Sequence, residues 1–335
     1  MAGVTSDPSV SVIVPVYNDP SGIRQTLDSL TDQTFPNDDY EVIAVDNNST
    51  DDTRSIIERF ETDYENIYLE VEEEIQGSYA ARNAGIRRAA GEVIGFLDAD
   101  VTVPEDWLVR GVAVLEGRNA DYLACDVNLV GSDGPDGYAA RYDRQTGFPI
   151  EKYVDVLSFA PTCCLFVRYS VFEDLGPFDE RLVSGGDLEF GNRVEESGRT
   201  LHYVEDLTAN HPVRSTIAAL GSKAARVGRG RYQLRSYYPD RYGMPWRMLV
   251  NPLTYTPPIP WRAPGAFDGF GTLSRRDQLI MYLLLTVTKF ARAYGKLAQA
   301  AEMGREPLLG PGQDSGDRQN TRSVPGTFEG ADEPS

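Results

Sequence analysis

The chain has 335 residues, 41% of them hydrophobic and 25% charged, so it can bury a substantial core as one large domain or as a domain with an appendage. Its formal net charge of −19 excludes a binder of the nucleic-acid backbone, which needs a basic surface. Its three cysteines have no metal-site spacing and build no disulfide framework.

Of the cations, only Lys152, Lys223, Lys289 and Lys296 are lysines; the rest are arginines. Acid excess with so little Lys reads as a halophilic-type acidic surface, in which dense carboxylates stay soluble because salt screens their repulsion. Cys163 and Cys164 lie in the strand-like run 162–167 and behave as small buried hydrophobes. No basic segment followed by an apolar stretch opens the chain, so a signal peptide is not expected. The apolar stretch 279–287 contains Thr286 and falls well short of the roughly 20 residues a membrane span needs. The expected location is cytoplasmic.

In chain order, residues 10–16 (VSVIVPV) form a β-branched strand that ends near Pro15, because proline cannot donate to a central ladder. Residues 21–30 follow as a helix with Ile23, Leu27 and Leu30 on one face and Ser21 as its N-cap. Residues 40–45 make a second strand that ends in Asp46, and a helix is expected over 53–60. A third strand spans 67–71 and a helix 79–90. The apolar run 93–97 is then a fully buried strand that stops at Asp98-Ala99-Asp100. If the extended geometry persists, the two carboxylates point to the same side.

Strands alternating with helices at this spacing indicate βαβ units and a parallel sheet, whose ligands bind at the carboxyl ends of the strands. Tyr17-Asn18, Asp46-Asn47 and Asp98–Asp100 each follow such an end, so the fold gathers them on one rim. No Walker sequence and no Gly-x-Gly-x-x-Gly follows the first strand, which leads instead into Pro15-Val16-Tyr17-Asn18. A tyrosine face suits a flat base, and an acid after the second strand suits a ring N–H or a ribose hydroxyl. Carboxylates at a strand end suit a hard divalent cation, which in turn holds a diphosphate.

Five segments in order, 10–19 (VSVIVPVYND), 45–53 (VDNNSTDDT), 77–85 (GSYAARNAG), 96–100 (FLDAD) and 185–193 (GGDLEFGNR), resemble the family 2 glycosyltransferases. The resemblance covers residues 10 to about 215. It implies an α/β GT-A fold, Rossmann-like, with a mostly parallel sheet flanked by helices. It also implies inverting, hexosyltransferase-type transfer from a nucleoside diphosphate sugar, usually UDP-linked, with Mn²⁺ or Mg²⁺. Carried over by position, Pro15, Val16 and Tyr17 border the base and Asp46 bonds the uracil. Arg82 and Asp98 lie near the nucleotide, Asp100 ligates the metal and Asp187 is the catalytic base. The family commonly has Glu immediately before that base, where this chain has Gly186. A later histidine often completes the metal or diphosphate site, and His211 is the candidate.

Inverting transfer needs a base for the acceptor hydroxyl on one face and charge stabilisation for the leaving diphosphate on the other. Asp187 follows the turn 184–186 and opens a helix over 188–197, where the helix dipole favours the carboxylate by about 0.3–1 kcal/mol. The acceptor region is expected from 125–185, including a mobile Gly/Asp loop at 131–137. Residues 1–220 form the transferase domain, 221–304 a C-terminal helical and aromatic extension, and 305–335 a disordered tail. Aromatic and Arg residues over 237–297, with a helix from 275 to 297, suit either packing on protein or peripheral contact with the inner face of a membrane. The expected partners are a sugar-nucleotide donor and a glycan or lipid-linked acceptor such as a polyprenyl phosphate, with no nucleic acid. Two alternatives are a sugar nucleotidyltransferase, which wants a basic Gly-rich loop after the first strand, and a non-catalytic nucleotide-sugar-binding protein.

Overall fold

The structure is a computed structural model that describes residues 8–131, 136–260, 267 and 270–304. The 305–335 tail and residues 132–135 of the 131–137 loop lie outside the described residues. The N-terminal part alternates strand and helix: β1 (Val10–Val16), α1 (Pro20–Thr31), β2 (Tyr40–Asp46), α2 (Thr53–Asp63), β3 (Ile67–Val71), α3 (Ser78–Arg88), β4 (Val93–Leu97) and α4 (Trp107–Gly117). Then come β5 (Tyr122–Val130), α5 (Tyr138–Thr146), α6 (Ile150–Leu157), β6 (Cys164–Arg168), α7 (Tyr169–Leu175), α8 (Gly186–Glu196) and β7 (Leu201–Pro212). Beyond β7 the described residues form the helices α9 (Ile217–Tyr237), α10 (Pro239–Tyr242), α11 (Pro245–Val250) and α12 (Arg275–Met303). The chain divides into two compact units, residues 1–134 with 147–213, and residues 135–146 with 214–335.

The first unit holds a seven-stranded sheet in the order β3-β2-β1-β4-β6-β5-β7. β1 runs parallel to β2 and β4, β2 to β3 and β5 to β7, while β6 is antiparallel to both of its neighbours. Every residue of β1, β2 and β4 is buried, as expected of strands covered by helices on both faces. β1 continues one residue past Pro15, and its pairing with β4 stops at Ile13, so the proline lies beyond that ladder. The α1 cap is Asp19 rather than Ser21: the Asp19 carboxylate accepts from the Gly22 N–H at 2.8 Å. Ser21 falls inside the first turn instead. Helix α3 is buried from Tyr79 to Ile86 and lies against β1 through Gly85, where a Cβ would come within 2.5 Å of Ile13 Cγ2.

In the second unit α9 and α12 approach so closely that Gly228 faces the Arg292 backbone and Gly295 faces the Ala225 backbone. Ala139, Tyr142, Leu220, Phe267, Met281 and Leu284 form its core, and the Tyr142 and Thr288 hydroxyls meet at 2.7 Å. Buried Asp143 accepts from the Arg214 backbone N–H at 2.9 Å and from its Nη1 at 3.3 Å, and lies 3.6 Å from Lys223 Nζ. Burial and then the Arg214 charge pull the Lys223 ammonium down to about 8, against the opposing pull of Asp143. Asp143→Ala strips both cations of this carboxylate, so it is expected to destabilise the unit by about 2–4 kcal/mol. Thermal unfolding followed by circular dichroism checks this; an unchanged midpoint would remove the cluster from the stability of the fold.

Candidate active site

The carboxyl ends of β1, β2, β4 and β7 each deliver part of the site. After β1, Val16 is buried while the Tyr17 ring is 51% exposed, so a flat apolar face is presented to solvent. Asn18, in the left-handed region at φ 50°, binds the turn after β2: its carboxamide oxygen accepts from the Thr50 N–H at 2.8 Å and its own N–H donates to Ser49 Oγ at 2.9 Å. Asp46 closes β2 fully buried. One of its oxygens accepts from Arg54 Nε at 2.8 Å and the other from the Ser49 N–H at 3.2 Å.

After β4 the extended geometry does not persist. A turn closes from the Val101 N–H onto the Asp98 carbonyl at 3.1 Å, and the two carboxylates meet different groups. Asp98 accepts from Arg82 Nη2 at 2.5 Å, while Asp100 lies 4.0 Å from His211 Nε2. Arg82 is buried: its Nη1 donates to the Ser78 carbonyl at 3.3 Å, and its Nε has no hydrogen-bond partner among the described residues.

His211 reaches Asp100 through backbone pairing across the sheet edge. Thr102 and Asn210 exchange N–H to carbonyl bonds at 3.0 and 2.8 Å, which clips the segment after β4 to β7 one residue before the histidine. The buried ring lies 5.4 Å from the Phe148 ring, and its Nδ1 donates to the Pro212 carbonyl at 2.7 Å. That bond selects the tautomer whose Nε2 lone pair faces Asp100, the arrangement a metal-ligating histidine needs. Among the described residues no cluster of three or more His, Cys, Asp or Glu gathers to hold a metal. One carboxylate and one imidazole would supply only two ligands of a divalent cation, so the others would have to come from a bound ligand or from water.

Asp187 lies in the first turn of α8, which starts at Gly186 after Gly185 in the left-handed region at φ 87°. Its Oδ1 accepts from the Leu188 N–H at 2.9 Å and from the Tyr79 hydroxyl at 3.3 Å. The preceding loop is fixed by Arg193, which pairs with buried Glu189 at 2.8 Å and donates to the carbonyls of Leu175, Gly176 and Pro177. Gly186, where a Glu was expected from the resemblance, stands where a Cβ would come within 2.8 Å of the Tyr79 ring.

Arg54, Tyr79 and Asn83 were not singled out from the sequence, and Asn47 was placed on the rim without a role. Arg54 follows Asp46 by eight residues, and an Arg in the first turn after an acidic strand end was the available signal. Asn47 ties the 72–77 loop to β2, donating to the Glu72 and Ile75 carbonyls and accepting from Gln76 Nε2 and the Gly77 N–H at 2.7–3.0 Å. Tyr79 and Asn83 lay inside a quoted motif without a role. Asn83 bonds both the N–H and the carbonyl of Phe178, at 3.1 and 2.9 Å.

The family model described as Glycosyl transferase family 2 matches residues 11–176. The chain is 41% identical to glycosyltransferase AglE of Haloferax volcanii over 228 residues, covering 68% of this chain and 74% of that one. It is 40% identical to the poly(ribitol-phosphate) beta-glucosyltransferase of Bacillus spizizenii over 103 residues, covering 30% and 16%. Among solved structures, the mannosyltransferase PcManGT from Pyrobaculum calidifontis in complex with GDP-Man and Mn²⁺ aligns with a TM-score of 0.58 at 20% identity, over 89% of this chain and 88% of that one. S. aureus TarS 1–349 in complex with UDP-GlcNAc aligns at 0.52 and 21% identity, over 88% and 92%. At such identities the likeness is one of fold, and the fold is GT-A.

The two acids are therefore expected to differ in the protein free of ligand. Asp98→Asn takes the ionised partner from buried Arg82 and lowers stability by about 1–3 kcal/mol. Asp100→Asn, which takes no counter-charge from a buried guanidinium, costs less, although the two acids are about equally exposed at 37% and 38%. Chemical denaturation of both variants checks this, and equal losses would contradict the division of roles.

Proposed function

The chain belongs to glycosyltransferase family 2, and we propose that it transfers a sugar, with inversion, from a UDP-linked nucleoside diphosphate donor to a hydroxyl or phosphate acceptor. The observation that carries this reading is the Asp100–His211 pair, 4.0 Å apart, next to the Asp98–Arg82 pair at the strand ends. The solved relatives bound to GDP-Man or UDP-GlcNAc support the donor class, and the Mn²⁺ in one of them supports the cation.

In this reading Pro15, Val16 and Tyr17 border the base, and Asp46, fully buried and paired with Arg54 in the protein free of ligand, has to be uncovered to meet its ring N–H. Asp98 and Arg82 lie beside the nucleotide. Asp100 and His211 Nε2 hold Mn²⁺ or Mg²⁺, which when bound neutralises charge on the leaving diphosphate. Asp187 takes the proton of the acceptor hydroxyl as its oxygen attacks the anomeric carbon from the face opposite the leaving group. The 1–220 region serves this chemistry, and the 221–304 extension serves the acceptor side.

We infer that the acceptor is met at an anionic lipid surface, from the cytoplasmic face. Among the described residues no helix is long and apolar enough to cross a membrane. Helix α12 instead exposes Leu279, Leu283, Val287, Phe290, Tyr294 and Leu297, each 41–67% exposed, at spacings that keep them on one face. Residues 214–304 carry 14 Lys and Arg against 4 Asp and Glu, in a chain whose totals are 32 and 51. An apolar stripe in a basic segment fits anionic headgroups over a hydrocarbon boundary, whereas two copies of a basic surface repel each other.

Titration of UDP-, GDP- and dTDP-sugars with Mn²⁺ or Mg²⁺ is expected to show cation-dependent binding; no such binding to any of them would defeat the transferase reading. Asp187→Asn is expected to keep donor affinity and lose turnover by about 10²–10⁴-fold. Turnover at the native level would take Asp187 out of the base role. Vesicles containing phosphatidylglycerol are expected to sediment the protein, and Leu283→Glu with Phe290→Glu to release it. Absence of sedimentation, together with a dimer in light scattering that the same double variant dissociates, would assign the stripe to a second copy instead.

A further inference from the structure

Asp187 is held by a group that its own helix does not supply. The Tyr79 hydroxyl, buried on α3, lies 3.3 Å from Asp187 Oδ1, to which it donates, and 3.3 Å from the Asp187 backbone nitrogen, whose N–H it accepts. With the Leu188 N–H on the same carboxylate oxygen at 2.9 Å, two donors set the plane of the carboxyl group.

The ring can occupy this place because residue 186 has no side chain. A Cβ there would stand 2.8 Å from Tyr79 Cε2 and Cζ. The ring is also backed by Phe178, at 5.7 Å between centroids, and Asn83 pins the Phe178 backbone from the same face of α3. A side chain at 186 therefore meets a ring with little room to retreat.

We propose that Tyr79 is a positioning residue for Asp187: its hydroxyl orients the carboxylate toward the acceptor and favours its ionised form, and Gly186 is the gap that admits the ring. This rests on the reading of Asp187 as the base. A hydrogen bond donated to a carboxylate stabilises the charged form, so Tyr79 keeps the base ready at lower pH than it would be alone. Among the described residues, the titratable groups around the pair include Tyr122 on β5 and Cys163 ahead of β6, both pushed up by burial and so protonated near neutrality. Arg82 is engaged by Asp98, and on α8 itself Glu189 is engaged by Arg193.

Tyr79→Phe keeps the ring and removes the hydroxyl. It is expected to lower kcat about tenfold, to leave the donor KM within about twofold, and to move the acid limb of the kcat–pH profile up by about one unit. Loss of packing alone would not move that limb. Gly186→Ala, by displacing the same hydroxyl, is expected to lower kcat to a similar extent, and the double variant to be no worse than the poorer single one. Donor affinity measured on every variant reports whether the nucleotide half of the site is still folded. Native kcat and an unmoved acid limb in Tyr79→Phe, with Asp187→Asn inactive, would overturn the positioning role and leave the base reading standing. Losses that multiply in the double variant would likewise overturn it. Native turnover in Asp187→Asn would defeat the base reading itself.

Discussion

Three polar side chains on one face of a buried helix hold the active site together. Tyr79, Arg82 and Asn83 stand at positions i, i+3 and i+4 of α3, which lies against β1 through Gly85 and is closed to water from Tyr79 to Ile86. A buried polar group left unbonded costs about 1–3 kcal/mol, so each must find a protein partner. Tyr79 takes Asp187, Arg82 takes Asp98, and Asn83 takes both backbone groups of Phe178. The requirement that lets this helix fold is also what sets Asp187, Asp98 and the backbone at Phe178.

A second constraint comes from β7. Its backbone exchange with Thr102 converts two distant stretches, 98–102 and 210–212, into one corner carrying a carboxylate and an imidazole. The acids at that corner are not interchangeable. Asp98 balances a buried guanidinium, while Asp100, about as exposed, stands near the His211 imidazole. The same division of charge recurs on a larger scale. Surface carboxylates dominate the chain as a whole, yet residues 214–304 are basic around an exposed apolar stripe. A protein that otherwise repels anions thus keeps one segment suited to an anionic surface.

Much of this was legible from residue order alone. β-branched runs of five to seven residues ending in polar clusters marked β1 to β4, and the i, i+4, i+7 spacing of Ile23, Leu27 and Leu30 marked α1, because burial on a sheet imposes those periods. The five motifs in order pointed to the family and to the rim at the carboxyl ends. Helix ends were less legible: Asp19 and Ser21 are both good caps, and only the backbone angle at residue 19 chose between them.

What local pattern could not carry is direction and distance across the sheet. The run that became β6 read as a strand, but its antiparallel course between β4 and β5 depends on how the chain returns from α6. The expectation that Asp98 and Asp100 share a side rested on strand geometry continuing past Leu97. A turn replaced it, and the two acids meet groups that arrive from other elements, Arg82 on α3 and His211 on β7. Residue 186 gives the same lesson: in sequence it is a missing Glu, and only the packed Tyr79 ring explains why no side chain fits there. The sequence by itself determined which segments are buried, where the strands end and which chemical groups wait at those ends, since all of these follow from local hydrophobic period and residue type. Tertiary structure alone decided which group faces which, because hydrogen bonds and ion pairs between residues a hundred positions apart exist only once the sheet has been assembled in its order.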